Sequence, residues 1–397
     1  MDMDFSIAEL RSAISVSNRR SSPGPDGISY TAIRNLDPIC LRVLLDVYNH
    51  SWTHGQVPPQ WKLAQVVPLL KLGKRPSELS SFRPVALTSC LGKVMERMVL
   101  HRLEWWLESR GFLPQEMSGF RRHRSSVDSV LDLVSAVEEA KRQKKIPVAI
   151  FLDVKRAYDT VSDTYVLHAL HQARVPRQAF LWIRDFLHRR HIFLRTTQGD
   201  TERFVVSQGV PQGSVLSPLL FNVVMAGIKT CVPRKVNVSI YADICVWTAG
   251  KSRPAPRYRL QRSLDAIVSY LTQAGMDISA EKSAVLAFAS KKMHRFRFLV
   301  GTEPLSLVSH HRFLGVILDS NLSWKRHVTY LEGRTQRWVN VIRHFAGMRS
   351  GRDETDLLML RNALVRGSVK YTLPVLHGLS RALEQRLRAL LARSLRV

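Results

Sequence analysis

Residues 236–247 read Val236-Asn-Val-Ser-Ile240-Tyr241-Ala242-Asp243-Ile244-Cys245-Val246-Trp247. The first five alternate apolar and polar, the period of a strand. An apolar run follows at once after a single acid. A second stretch, Val148-Ala-Ile-Phe-Leu-Asp153-Val, is another apolar run with a carboxylate near its end. Burying a lone carboxylate is costly unless a cation or donor compensates. A divalent metal compensates best, and two-metal phosphoryl transfer needs carboxylates from neighbouring strands to hold ions about 4 Å apart. Either acid alone reads as a solvated strand-end residue; the pair together raises the metal reading.

Working outward, 162–186 and 216–228 read as helices. Residues 260–274 read as a third, with Leu264, Ile267, Val268 and Leu271 on one stripe. The order strand, helix, helix, strand, helix, strand predicts an α+β palm-like sheet with helices on one face. Ser22-Pro-Gly-Pro-Asp-Gly27 marks a tight loop. Gln208-Gly-Val-Pro-Gln212-Gly213-Ser-Val-Leu-Ser-Pro218 places two glycines and a proline before a helix, where backbone can approach a ligand closely. The C-terminal portion reads as helical and basic. It stops inside a Leu/Arg pattern, so a cut-off element is expected there.

The chain has 397 residues, 45% hydrophobic and 23% charged, an ordinary globular composition. Lys plus Arg number 59 against 32 acids, a net charge of +27. That excess asks for a polyanionic partner, nucleic acid first and an anionic membrane surface second. The basic runs at 19–20, 71–75, 121–124, 141–145, 184–195, 291–297 and 381–396 alternate with hydrophobic runs, so they read as faces of a folded body. The four cysteines are scattered without a C-x-x-C pair, which argues against disulfides and a cysteine zinc site. The 14 histidines are scattered too. The acidic start, Met1–Asp4, does not read as a signal peptide. The uncharged stretch 204–228 contains Gln208, Gly209, Pro211, Gln212, Gly213, Ser214 and Pro218, which rules out a membrane span there.

Three segments together resemble motifs A, B and C of reverse transcriptases: Phe151-Leu-Asp-Val-Lys-Arg-Ala-Tyr-Asp159, Gln208–Pro218, and Tyr241-Ala-Asp243. The flanks agree. Ser22–Gly27, Ser81-Phe-Arg-Pro-Val-Ala-Leu-Thr-Ser-Cys-Leu-Gly-Lys93 and Ser118-Gly-Phe-Arg-Arg-His-Arg124 resemble the fingers of non-LTR (LINE-type) retrotransposon enzymes. Gly275-Met-Asp-Ile-Ser-Ala-Glu-Lys282 resembles motif D, and Phe313–Trp324 the segment after the palm. The resemblance implies a right-hand polymerase fold. Fingers would span 1–145, a palm with an antiparallel sheet 146–318, and a partial helical thumb 319–397. It implies an RNA-directed DNA polymerase, and an RNA template, a DNA primer or target DNA, deoxynucleoside triphosphates and Mg²⁺, with Mn²⁺ as substitute. Nucleus or a cytoplasmic ribonucleoprotein is the compartment expected from it.

Roles follow residue by residue. Asp153 and Asp243 would be catalytic metal ligands, with Tyr241 and Ala242 completing motif C. The amides of Val154 and Lys155 would touch the triphosphate. Tyr158 would be the aromatic gate against a ribose 2′-hydroxyl. Gln212 and Gly213 would line nucleotide and template, and Lys71 and Arg83 would be fingers cations over the triphosphate. Lys282 would be a general acid toward pyrophosphate. Asp159 reads as a helix-start residue.

One departure stands out. The family has Tyr-Ala-Asp-Asp at motif C, whereas Ile244 here follows Asp243 directly. A one-residue deletion would turn Ile244 and Val246 to the wrong face unless the turn absorbs it. Impaired polymerisation is therefore expected. The alternatives are an inactive nucleic-acid-binding relic of the same fold and, behind it, an RNA-dependent RNA polymerase. That last class would more often show Gly-Asp-Asp and a smaller residue at 158. No endonuclease, zinc knuckle or ribonuclease H segment is read, which fits a fragment.

Overall fold

Strand Ile146–Lys155 runs through a five-stranded sheet whose order is Ser306–Leu307, Asp277–Ala287, Ile146–Lys155, Ile244–Gly250, Asn237–Ile240. The structure is a computed structural model that describes residues 1–71, 73–196, 199–252, 254–288, 297–346 and 353–394. The basic run 291–297 lies outside the described residues except for Arg297, as do Leu72 of the run 71–75 and residues 395–396 of the last run. The chain divides into two compact units, each built from separated stretches. One comprises Met1–Gln115, Val154–Ile228 and Ser269–Asp277; the other Glu116–Asp153, Lys229–Val268 and Ile278–Val397.

The second unit holds the main sheet. Ile146–Lys155 pairs antiparallel with Ile244–Gly250, which pairs antiparallel with Asn237–Ile240. Along the central strands Ala149, Phe151, Cys245 and Trp247 share one side. They pack with Val130, Leu133, Val134 and Val137 of helix Ser126–Arg142. That helix forms where it does because Ser125 and Asp128 make a reciprocal cap at its start. Trp324, Leu331, Val375, Leu383 and Leu387 join the same cluster, so the C-terminal helices share one core with the sheet.

The first unit has its own sheet, in the order Phe82–Leu87, Leu63–Leu70, Arg190–Thr196, Gly199–Asp200. Phe204–Val206 also pairs with Arg190–Thr196. Its helices include Ile7–Ser15, Pro38–His54, Cys90–Ser109, Arg177–Leu187 and Ser217–Met225. Tyr48, Trp52 and Trp182 are fully buried polar aromatics. Tyr48 donates to the Leu91 carbonyl at 2.9 Å and Trp182 to the Ser51 hydroxyl at 3.1 Å.

The α+β class expected from the sequence is the class observed. The helix expected over 162–186 is two helices, Asp163–Gln172 and Arg177–Leu187. Pro176 explains the break, because a proline disfavours helical geometry in the residue before it. Arg174 turns the chain there with φ 51°. The stretch 204–228 is a short strand, a loop and the nine-residue helix Ser217–Met225. Among the described residues no helix is long and apolar enough to cross a membrane.

Trp324 is 1% exposed, and its indole donates to the His377 carbonyl at 2.9 Å. Replacing it by alanine leaves a large cavity and an unpaired acceptor. Trp324→Ala should cost about 3–5 kcal/mol, read as a lower urea midpoint in far-UV circular dichroism. An unchanged midpoint would contradict the packing described.

Candidate active site

In the second unit, the register between the central strands ends at Leu152↔Ile244. One step further sets Asp153 opposite Asp243. The strands are buried through their middles, which fixes both acids at one end of the sheet. The Asp153 N–H donates to Ser283 Oγ at 3.1 Å, tying the acid's backbone to the neighbouring strand. Lys282 Nζ stands 3.9 Å from Asp153 Oδ2, but the lysine is 70% exposed and weakly held. Burial pushes the Asp243 carboxyl above its ordinary range, and the negative charge of Asp153 adds to the push.

Motif C is a hairpin turn. Ile240 pairs with Ile244, leaving Tyr241, Ala242 and Asp243 as the loop. The Tyr241 N–H donates to the Asp243 carbonyl at 3.1 Å. None of the three takes a positive φ. The three-residue turn thus leaves the register of both strands intact. Ile244 and Val246 keep partners in Leu152 and Ile150, and every residue from Ile244 to Trp247 is buried.

The first unit carries the other residues. Val154 and Lys155 end the strand, and Arg156, with φ 45°, turns the chain into the short helix Ala157–Thr160. Asp159 lies in that helix's first turn, as expected. Its carboxylate also accepts from Gln212 Nε2 at 2.8 Å. Burial raises the Asp159 carboxyl, opposed by Gln212, Arg156 and Lys71. Lys71 therefore lies within electrostatic reach of Asp159. Lys71 N–H donates to the Ser81 carbonyl at 2.8 Å. Arg83 is exposed in the paired strand, opposite Leu69.

The Tyr158 ring stacks on Phe221, with centroids 5.0 Å apart and planes at 17°. Tyr158, Arg156, Val85, Gln212, Gly213 and Ser214 are among the residues around an open cavity of about 460 Å³. Gly213 has φ 138°, and a Cβ there would overlap the Ala86 carbonyl oxygen. Ala86 N–H donates to the Gln212 carbonyl at 2.7 Å, so the loop lies flat against strand Phe82–Leu87.

Two residues that hold this loop escape the sequence reading. Glu96 is 3% exposed within helix Cys90–Ser109. Its Oε2 accepts from the Ser214 hydroxyl, from Val215 N–H at 2.8 Å and from Leu216 N–H at 3.3 Å. Burial raises its carboxyl despite those donors. Arg190, in the basic run 184–195, is 6% exposed rather than on a solvated face. It donates to the Gln208 and Gly209 carbonyls at 2.9 and 2.6 Å, and lies 3.8 Å from Asp163. Burial pushes the Asp163 carboxyl up to about 6 against the pull of Arg190. The structure groups Asp153, Asp243, Lys282, Tyr241 and Ala242 in one unit, and Lys71, Arg83, Val154, Lys155, Tyr158, Gln212 and Gly213 in the other.

The sequence model of the family described as reverse transcriptase (RNA-dependent DNA polymerase) matches residues 72–331. The chain belongs to this family. Among its relatives is the RNA-directed DNA polymerase from mobile element jockey of Drosophila melanogaster, 30% identical over 82% of this chain and 36% of the relative. The jockey polymerase of Drosophila funebris is 26% identical over 98% of this chain and 43% of the relative. A probable RNA-directed DNA polymerase from transposon BS of Drosophila melanogaster is 26% identical over 87% and 39%. These relatives place the chain with the non-LTR, LINE-type reverse transcriptases. The chain spans about two fifths of their lengths. Apo telomerase from Candida tropicalis, truncated from its C-terminal domain, is a solved structure with TM-score 0.47 and 13% identity, over 74% of this chain and 59% of that one.

Reverse transcriptases generally use divalent metal. The donors here fit one in kind: two carboxylates lie at the same end of the sheet, and the charge of Asp153 adds to the rise of the Asp243 carboxyl. Among the described residues no group of three or more His, Cys, Asp or Glu side chains is placed to hold a metal.

Glu96 supplies a test. Glu96→Ala takes the acceptor from the Ser214 hydroxyl and the Val215 N–H in a buried site, leaving Leu216 N–H only its bond to Ser214 Oγ, and should lower stability by about 2–5 kcal/mol. Glu96→Gln keeps an acceptor oxygen and should cost less. The sign with pH follows from the raised carboxyl. The folded parent holds this proton more tightly than the unfolded chain, so stability is lost as pH rises through the ordinary glutamate range toward the raised value. The glutamine variant lacks that loss. Urea unfolding between acid and neutral pH should show the stability difference moving in favour of Glu96→Gln as pH rises; a constant difference would refute the burial assignment.

Proposed function

We propose that this chain is the polymerising part of an RNA-directed DNA polymerase, extending a DNA or target 3′-end along an RNA template from deoxynucleoside triphosphates. The observation that carries the reading is the strand register that opposes Asp153 to Asp243. In this reading, 1–145 serve as fingers, 146–318 as palm and 319–397 as thumb.

Asp153 and Asp243 hold Mg²⁺, or Mn²⁺ in its place. A divalent ion held there would supply Lewis-acid activation of a 3′-hydroxyl and charge neutralisation for a leaving pyrophosphate. Val154 and Lys155 offer backbone N–H groups to the triphosphate, while Lys71 and Arg83 meet its charge. The Tyr158 ring, braced by Phe221, closes the cavity against a ribose 2′-hydroxyl. That gate favours deoxynucleotides and counts against an RNA-synthesising enzyme. Gln212, held by Asp159, lines the nucleotide with Gly213. Lys282 is the proton donor to pyrophosphate, its ammonium standing beside the acid pair. The basic surface grips phosphates, so binding weakens steeply with salt.

The single carboxylate in the motif C turn makes this copy a weak polymerase. The same observation favours a second reading, a nucleic-acid-binding relic that keeps fold and charge without chemistry. Primer extension on poly(rA)/oligo(dT) with Mg²⁺ or Mn²⁺ separates the two. The proteins to compare are the parent, Asp153→Asn, and a version with Asp inserted after Asp243. We expect extension by the insertion version well above the parent, and none by Asp153→Asn. A parent as active as the insertion version would overturn the impairment. Activity that survives Asp153→Asn would overturn the site. Salt-sensitive RNA binding with no extension by any of the three would favour the relic.

A further inference from the structure

Segment Glu116–Arg124 lies beside the motif C turn in the second unit. The Ile240 N–H donates to the Glu116 carbonyl at 2.9 Å, and Ser118 N–H donates to the Ile240 carbonyl at 3.0 Å. Met117 thus forms a parallel bridge with Ile240 at the edge of the sheet. Gly119 follows. A Cβ there would stand 2.9 Å from the Tyr241 Cα and carbonyl oxygen, so only glycine lets the segment run this close to the turn. Phe120 comes next, in the left-handed region at φ 53°. A bulky residue rarely takes that conformation, and strained backbone of this kind gathers at binding and catalytic sites.

The result is a large ring that is not put away. Phe120 is 46% exposed, and its ring stacks on Tyr241 with centroids 5.9 Å apart and planes at 28°. It lies close to Asp243 along the chain of contacts, since Tyr241 is two residues from that acid. Arg122, His123 and Arg124, just beyond it, are exposed. Arg121 reaches back to the Met117 carbonyl at 2.9 Å and helps to hold the segment's shape. Helix Ser126–Arg142 anchors the other side, where Ser118 and Ser129 hydroxyls meet at 2.6 Å. A half-exposed aromatic ring on a rigid mount, flanked by cations, has the chemistry of a base-stacking platform.

We propose that Phe120 is a stacking platform for a nucleobase at the motif C turn, with Arg122 and Arg124 meeting the adjoining phosphates. The inference rests on the polymerase reading and adds a contact residue to it. Every base has a π-face, so the contact reads no sequence. The cations contribute a salt-dependent share of affinity and the ring a salt-independent one. The base is either the primer-terminal one or an unpaired template base, and both offer the same face.

The test uses the full chain and a fluorescein-labelled RNA template annealed to a DNA primer, with fluorescence anisotropy across a salt series. Phe120→Ala should weaken binding roughly 5- to 100-fold, the range seen when a base-stacking aromatic is truncated, with the salt slope unchanged. Phe120→Trp should bind within about twofold of the parent, because indole stacks as well. Arg122→Ala should instead reduce the salt slope. Because the ring is half-exposed, the thermal unfolding of Phe120→Ala should match the parent's. An abasic site at the primer terminus, or at the first unpaired template position, then identifies the base: the substitution that erases the difference between parent and Phe120→Ala marks the partner.

Phe120→Ala binding within twofold of the parent would overturn this inference alone. So would an equal loss in Phe120→Trp, which would assign the ring a purely structural role against Tyr241. A parent chain that does not bind the primer–template at all would overturn the polymerase reading, and this inference with it.

Discussion

Two carboxylates are held where they repel each other. Asp153 stands near the end of one strand, and Asp243 sits in the turn that opens the next. The pairing from Ile146↔Gly250 to Leu152↔Ile244 leaves them no other place. Like charges held together are unfavourable, and a cation between them relieves the cost. The cost of the arrangement is met by the apolar columns behind it, from Ala149 and Phe151 to Cys245 and Trp247, packed on helix Ser126–Arg142. The sheet's stability thus holds in place a local electrostatic penalty that the sheet itself does not relieve. That is the usual relation between a site and its scaffold.

The loop from Gln208 to Pro218 shows a different solution. Its glycines free the backbone, and freedom alone would leave the loop's shape undefined. Buried charges define it instead. Arg190 takes the carbonyls at the start of the loop, Glu96 takes the N–H groups near its end, and Asp159 takes the Gln212 side chain between them. Glu96 also sits at the positive end of helix Ser217–Met225, where an anion is favoured. Breaking a buried charge from its partners costs more than the pair contributes when whole, which makes this network a fixer of shape.

Much of this was legible beforehand, for identifiable reasons. The apolar run 148–152 and the alternation in 236–240 announced one central strand and the edge strand that leads into the motif C turn. The loop motif announced itself through Gly, Pro and Gln at fixed spacing. Glu96 did not, because an acid in a helix of mixed composition reads as solvated until the partner donors are seen. Arg190 was hidden the same way, inside a basic run. The first unit's sheet was also invisible. Leu63–Leu70 and Phe82–Leu87 each contain a proline, which argues against a strand in sequence. The fold resolves the conflict by pairing Pro68 with Pro84, confining both missing donors to one rung. Only the register, a long-range property, could show that.

The shortened turn separates fold from chemistry. A deletion beside a strand normally exchanges its two faces, and in a half-exposed sheet that would expose the core. Here both faces of Ile244–Trp247 are apolar and buried, so either column suits either side. The strand keeps its register, the three-residue loop closes without a left-handed residue, and Asp243 still stands opposite Asp153. What changes is the number of acids in the turn. A sheet apolar on both sides places no demand on how many acids the turn carries. The scaffold therefore makes no demand of its own for a second acid beside Asp243; any such demand comes from chemistry.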